Sequence, residues 1–153
     1  MKIMVERIPE EGSTYEGSEP GATLDMDSDS FVRVQGDVQY SLYAQHVSDE
    51  LIVRGTLSVE LGLQCTRCAE FFSTTVTDSD FLRAYPASKE TDSVEISPDM
   101  REDILLHIPS FPVCSDECRG LCTQCGADLN KGPCSCAEET QPSPWSALDN
   151  LNL

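Results

Sequence analysis

Apolar and polar residues alternate along residues 32–42. Val32, Val34, Val38, Tyr40 and Leu42 share one parity, and Arg33, Gln35, Asp37, Gln39 and Ser41 take the other. A period of two predicts a strand with one buried face. Gly36 interrupts the apolar side, as at a bulge. After the turn "AQHVSDE" the alternation resumes, with Leu51, Val53, Leu57, Val59, Leu61 and Leu63 opposed to Arg54, Thr56, Ser58, Glu60 and Gln64. This second strand leads straight into Cys65. Beyond Cys68, "AEFFSTTVTDSDFLRAY" is rich in β-branched and aromatic residues and predicts a third strand. Three long strands on short links predict an antiparallel meander. "KIMVERI" and "VEIS" predict two short strands.

The period then changes. "SPDMREDILLHIP" predicts a helix over residues 98–108, with Ser97 as N-cap and Pro98 at the first helical position. Asp99, Glu102 and Asp103 suit the positive end of its dipole. Met100, Ile104, Leu105 and Ile108 form its apolar stripe, and Pro109 and Pro112 end it. Residues 9–30 carry seven acids and no basic residue and read as a solvated acidic loop. Residues 138–153 read as a tail, in which Leu148 and Leu151 dock a short amphipathic turn and Trp145 is an anchor or an exposed aromatic. The expected fold is α+β: an antiparallel β-sheet or partly open barrel with one helix over residues 1–108, then a cysteine-rich zinc-binding module over 109–137.

Composition narrows the setting. Of 153 residues, 39% are apolar, enough for a modest core. No apolar run approaches the roughly 18 residues that cross a bilayer, and the first residues lack a signal-peptide pattern. The expectation is a cytoplasmic protein with no membrane partner, where thiols stay reduced. Ten Lys and Arg face 27 Asp and Glu, for a net charge of −17. Charge therefore disfavours gripping nucleic acid through a large basic face and is compatible with a basic partner.

The chemistry lies in eight cysteines. "CTRC" places Cys65 and Cys68 at a hairpin tip, and "CSDECRGLCTQCGADLNKGPCSC" holds the other six. Zinc takes four tetrahedral ligands, and a C-x-x-C turn puts two thiolates on one side of a tight loop. Gly126 allows the positive φ that such a turn needs. The simplest pairing makes one site of Cys65, Cys68, Cys114 and Cys118 and a second of Cys122, Cys125, Cys134 and Cys136. Cys114 and Cys118 would sit on consecutive helical turns. Both sites would be closed, hence structural. A single-ion variant, an iron–sulfur centre, thiol redox chemistry and disulfides are the alternatives. His46 and His107 read as ordinary boundary residues. No phosphate loop, nucleophile elbow or H-E-x-x-H occurs.

The run "ILLHIPSFPVC", then "CRGLCTQCGADLN" and "CSC" after an upstream "CTRC", resembles the bacterial YceD family, described as large ribosomal RNA subunit accumulation proteins. The matching residues are Cys65, Arg67, Cys68, Cys114, Cys118, Gly120, Leu121, Cys122, Cys125, Gly126, Leu129, Asn130, Cys134 and Cys136. Gly120 reads as a tight turn and Leu121 as a small plug between sites. The resemblance implies a role in accumulating large-subunit rRNA, hence in ribosome assembly, and no enzyme. With the charge, it points to a zinc protein acting through a basic ribosomal protein or a pre-50S particle. One alternative is direct rRNA binding, for which Arg67, Arg119 and Lys131 are the available cations. The other is thiol redox or metal transfer.

Overall fold

The structure, a computed structural model, describes residues 1–26, 28–88 and 91–136. The expected tail, with Trp145, Leu148 and Leu151, lies outside these residues. The frame is a five-stranded antiparallel sheet of β2 (Ser13–Glu19), β3 (Val32–Val34), β4 (Val38–Val47), β5 (Glu50–Gln64) and β6 (Phe71–Pro86). β4, β5 and β6 are the predicted meander, and β2 adds outside β4. β3 and β4 share one edge of β5. Between Val34↔Leu61 and Gln39↔Ser58 that edge takes two residues more than β5 does. Gly36 thus marks a break between two short strands within one long alternation. β1 (Lys2–Met4) pairs antiparallel with β7 (Ser93–Glu95) as a separate ribbon. The sheet does not close into a barrel.

One face of the sheet is buried. Leu42, Ala44, Leu51, Val53, Leu57, Leu61 and Phe81 pack with Ile3, Leu24, Ile96, Met100 and Ile104 in a single core. The helix α1 (Ser97–His107) lies on this face against β6 and β5. It starts and ends one residue earlier than predicted. Ile96 occupies the N-cap with no side-chain cap; the Ser97 hydroxyl accepts from the Met1 amino group and faces the carboxylates of Glu19 and Glu95. Asp103 is not a solvated helix-start charge: it is buried and paired with Arg83 of β6, while Tyr85 donates to Asp99 at 2.7 Å.

The acidic stretch 9–30 is not simply a loop. Its Ser13–Glu19 segment finds backbone partners along β4, and Gly21–Leu24 forms a 3-10 turn that buries Leu24. Arg101 of α1 donates to the Leu24 carbonyl at 2.8 Å and ties that turn to the helix. Likewise "KIMVERI" is a strand only over Lys2–Met4, and then turns as a 3-10 helix over Val5–Arg7. The longest helix among the described residues has 11 residues, and none is long and apolar enough to cross a membrane.

Candidate metal centres

β5 and β6 meet at the Cys65–Cys68 turn. There the Cys65 N–H donates to the Glu70 carbonyl and the Ala69 N–H to the Cys65 carbonyl, both at 2.9 Å. Cys122–Cys125 repeats this pattern: the Cys122 N–H donates to the Ala127 carbonyl and the Gly126 N–H to the Cys122 carbonyl, both at 2.8 Å. The residue after the second cysteine is left-handed in each, with φ +60° at Ala69 and +74° at Gly126. The two turns are one substructure used twice. Alanine stands in the first turn where the second has glycine.

The chain beyond α1 docks on the first turn. The Thr66 N–H and hydroxyl donate to the Pro112 carbonyl at 2.8 and 3.1 Å. This brings Cys114 and Cys118 to Cys65 and Cys68. The expected helical turns are absent there; Cys118 is carried by one turn closed on the Ser115 carbonyl. The four sulfurs lie within 4.8 Å of one another, with Cys65 to Cys118 and Cys68 to Cys114 each at 3.8 Å. A metal bound by thiolates at about 2.3 Å in a tetrahedron sets its sulfurs about 3.8 Å apart. A disulfide needs about 2.05 Å. The spacing fits a metal and not a crosslink. Cys65, Cys68 and Cys118 are buried with Phe72 and Val113 against them.

The second cluster, Cys122, Cys125, Cys134 and Cys136, also has its sulfurs within 4.8 Å, but it is more exposed and lies outside any apolar core. Hydrogen bonds join it to the first. The Leu121 N–H donates to the Arg67 carbonyl at 3.0 Å, and Asn130 donates through Nδ2 to Cys118 Sγ at 3.5 Å. Gly120 allows the first link: its φ is +73°, and an added Cβ would lie 2.8 Å from the Arg67 carbonyl oxygen. Leu121 itself is 39% exposed, so it is not a plug between the sites.

Crowding spreads the thiol affinities for protons. Burial works to raise Cys65, but N–H groups, first that of Cys114, outweigh it and leave the thiol at about 6. At Cys68 a backbone N–H at Glu70 works downward, yet burial and the three neighbouring thiols push it up to about 12. Cys122 is held down to about 6 by the N–H groups of Cys125 and Gln124, and Cys136 is pushed up to about 12, chiefly by Cys125. In each group one thiolate forms readily and the last resists, which a bound dication would reverse. Both clusters can hold a metal ion.

Two of the three expected RNA-contacting cations are occupied within the chain. Arg67 donates to the carbonyls of Asp116 and Cys118 at 2.9 and 3.2 Å. Lys131 pairs with Glu70 at 2.8 Å and with Asp128 at 3.3 Å. Arg119 is exposed. His46 meets the Ala87 carbonyl, and His107 lies 3.6 Å from the buried Asp78; neither is near the sulfurs' partners.

Comparison with known proteins places this geometry. Residues 83–152 match the model of the family described as large ribosomal RNA subunit accumulation protein YceD, which takes in six of the eight cysteines and leaves out Cys65 and Cys68. The chain is 36% identical over 72 residues to the large ribosomal RNA subunit accumulation protein YCED homolog 1, chloroplastic, of Arabidopsis thaliana; that covers 47% of this chain and 22% of the relative. It is 28% identical over 142 residues to an uncharacterized protein of Mycobacterium tuberculosis, covering 84% of this chain and 61% of that one. A Mycobacterium leprae protein, also uncharacterized, is 27% identical over 128 residues, with 74% and 58% covered. The chain thus spans less than two thirds of each of these relatives. No solved structure matches it.

Proposed function

The chain belongs to the YceD family through residues 83–152, and on that premise we propose that it is a non-catalytic zinc protein serving accumulation of large-subunit rRNA through a protein partner. The two groups of four sulfurs carry this reading. Four thiolates fill every position of a tetrahedral ion and leave none for water or substrate, which favours a structural over a catalytic metal. Cys65, Cys68, Cys114 and Cys118 would hold one ion and staple the chain beyond α1 to the hairpin tip. Cys122, Cys125, Cys134 and Cys136 would hold the other and fold the segment that follows.

Charge supports a partner made of protein. With −17 overall, and with Arg67 and Lys131 spent on internal contacts, few cations remain to neutralise phosphates. A basic ribosomal protein, free or on a pre-50S particle, meets the opposite electrostatics. Depleting the protein in its own cells should lower large-subunit rRNA relative to small-subunit rRNA, and the wild-type chain should restore it. A chain with Cys122 and Cys125 changed to Ser should restore it poorly. An unchanged rRNA ratio on depletion would sink the reading.

A further inference from the structure

We infer that the apolar groove between Phe31 and the segment around Ile108, Pro109 and Pro112 takes an apolar side chain of a basic protein segment. This rests on the reading that the chain acts through a basic partner, and it gives that partner a place.

The groove is built, not incidental. One wall is Phe31 and Val32, hung on the end of β5 by the Gln64 N–H, which donates to the Phe31 carbonyl at 2.9 Å. The other runs from Ile108 to Pro112, pinned by Thr66 to the metal-binding turn. Leu63, Gln64, Cys65, Thr66 and Ala69 complete the lining, and about 460 Å³ lies between. No charged side chain lines it. A cavity of the same size mixes the charged and polar side chains of Arg54, Asp80, Ser41, Thr56 and Ser79 with the apolar ones of Leu42, Phe81 and Leu82. Phe31, which lines the groove, is 66% exposed, and Phe111, between the lining residues Ser110 and Pro112 in sequence, is 82% exposed. Exposed apolar surface with a polar surround marks an interaction site, and aromatic residues dominate the centres of interfaces.

Charge selects the occupant. Asp29, Glu70, Asp116 and Glu117 stand within a few residues of the lining. Of the cations of the same region, Arg33 lies over the Phe71 ring at 3.7 Å, Arg67 holds two carbonyls and Lys131 holds Glu70 and Asp128, while Arg119 is exposed. An RNA strand would meet these acids with its own phosphates. A second copy would bring the same acids against them. The chain's residues 137–153 carry Glu138, Glu139 and Asp149 and no Lys or Arg. A segment with an apolar side chain flanked by Lys or Arg satisfies both the groove and its rim.

The test titrates purified large-subunit ribosomal proteins, one at a time, against the full chain and its variants F31S, F111S and L82S. Leu82 is an exposed apolar residue on β6, neither in the groove's lining nor next to it in sequence, so L82S controls for general stickiness. All three are surface changes, and thermal melts check that each variant folds. The expected result is at least one ribosomal protein whose binding weakens about tenfold or more in F31S and in F111S, holds in L82S, and falls as salt rises. Binding that is equal in all four chains would overturn the groove and leave the basic-partner reading standing. If no ribosomal protein binds the wild-type chain, both fall. If F111S instead abolishes binding of an rRNA fragment, or dissolves a dimer of this chain, the occupant is of the wrong class and the inference is overturned.

Discussion

At the scale of single residues, the two cysteine turns differ at one informative position. Ala69 holds φ +60° where its counterpart Gly126 holds +74°. A left-handed alanine costs about 1–2 kcal/mol, of which glycine's greater freedom in the unfolded chain returns part. Ala69→Gly should therefore stabilise the protein by about 0.5–1 kcal/mol, read as a rise in the urea midpoint. Gly120 has no such latitude, because its missing Cβ makes room for the Arg67 carbonyl. Gly120→Val should cost about 2 kcal/mol or more and separate the two clusters, lowering retention of metal at the second before the first. If G120V matches the wild type in chelator resistance, the link between the clusters does not matter. The grouping of the eight cysteines into two sets of four was legible from spacing alone. Their neighbours were not: nothing in "GADLN" shows that Asn130 reaches Cys118, since that contact depends on how the second turn docks.

At the scale of elements, the meander was legible because β4, β5 and β6 bury one face and their alternation records it. β2 escaped notice because it lies at the sheet's edge and buries little; Tyr15 and Leu24 were the faint signals in an acidic run. The β1–β7 ribbon joins residues 89 to 93 positions apart, and no local pattern reports such pairing. Asp103 misled for a related reason: an acid reads as solvated until Arg83 arrives from another strand. The helix stripe was largely right, with Met100 and Ile104 buried at 2% and 1%. Ile104→Ala should cost about 2–5 kcal/mol, since it empties the contact of α1 with the sheet. A loss under 1 kcal/mol by urea denaturation would mean that α1 is not docked as described.

At the scale of the whole molecule, a β-sheet core and a cysteine module share one stability. The sheet has its own apolar core, while the chain beyond α1 has only the small cluster around Cys65, Cys68 and Cys118. Metal should hold that part in place, so its loss should unfold residues after α1 and leave the sheet standing. Acid should produce the same loss. Cys65 and Cys122 ionise below the ordinary thiol range, so the stability their thiolates add is present above that range and is lost as pH falls through about 6. Protons compete with the ion in the same direction. A metal-sensitive dye should report release on acidification, the exposed Cys122 cluster first and the buried Cys65 cluster second. Release in the reverse order would contradict the difference in burial.

The most direct test is the metal content of protein purified without added metal, by native mass spectrometry beside thiol alkylation. The account expects two zinc ions per chain, with all eight cysteines protected until the protein is unfolded or stripped. A folded, metal-free chain whose thiols alkylate freely, or a coloured iron centre in place of zinc, would contradict it.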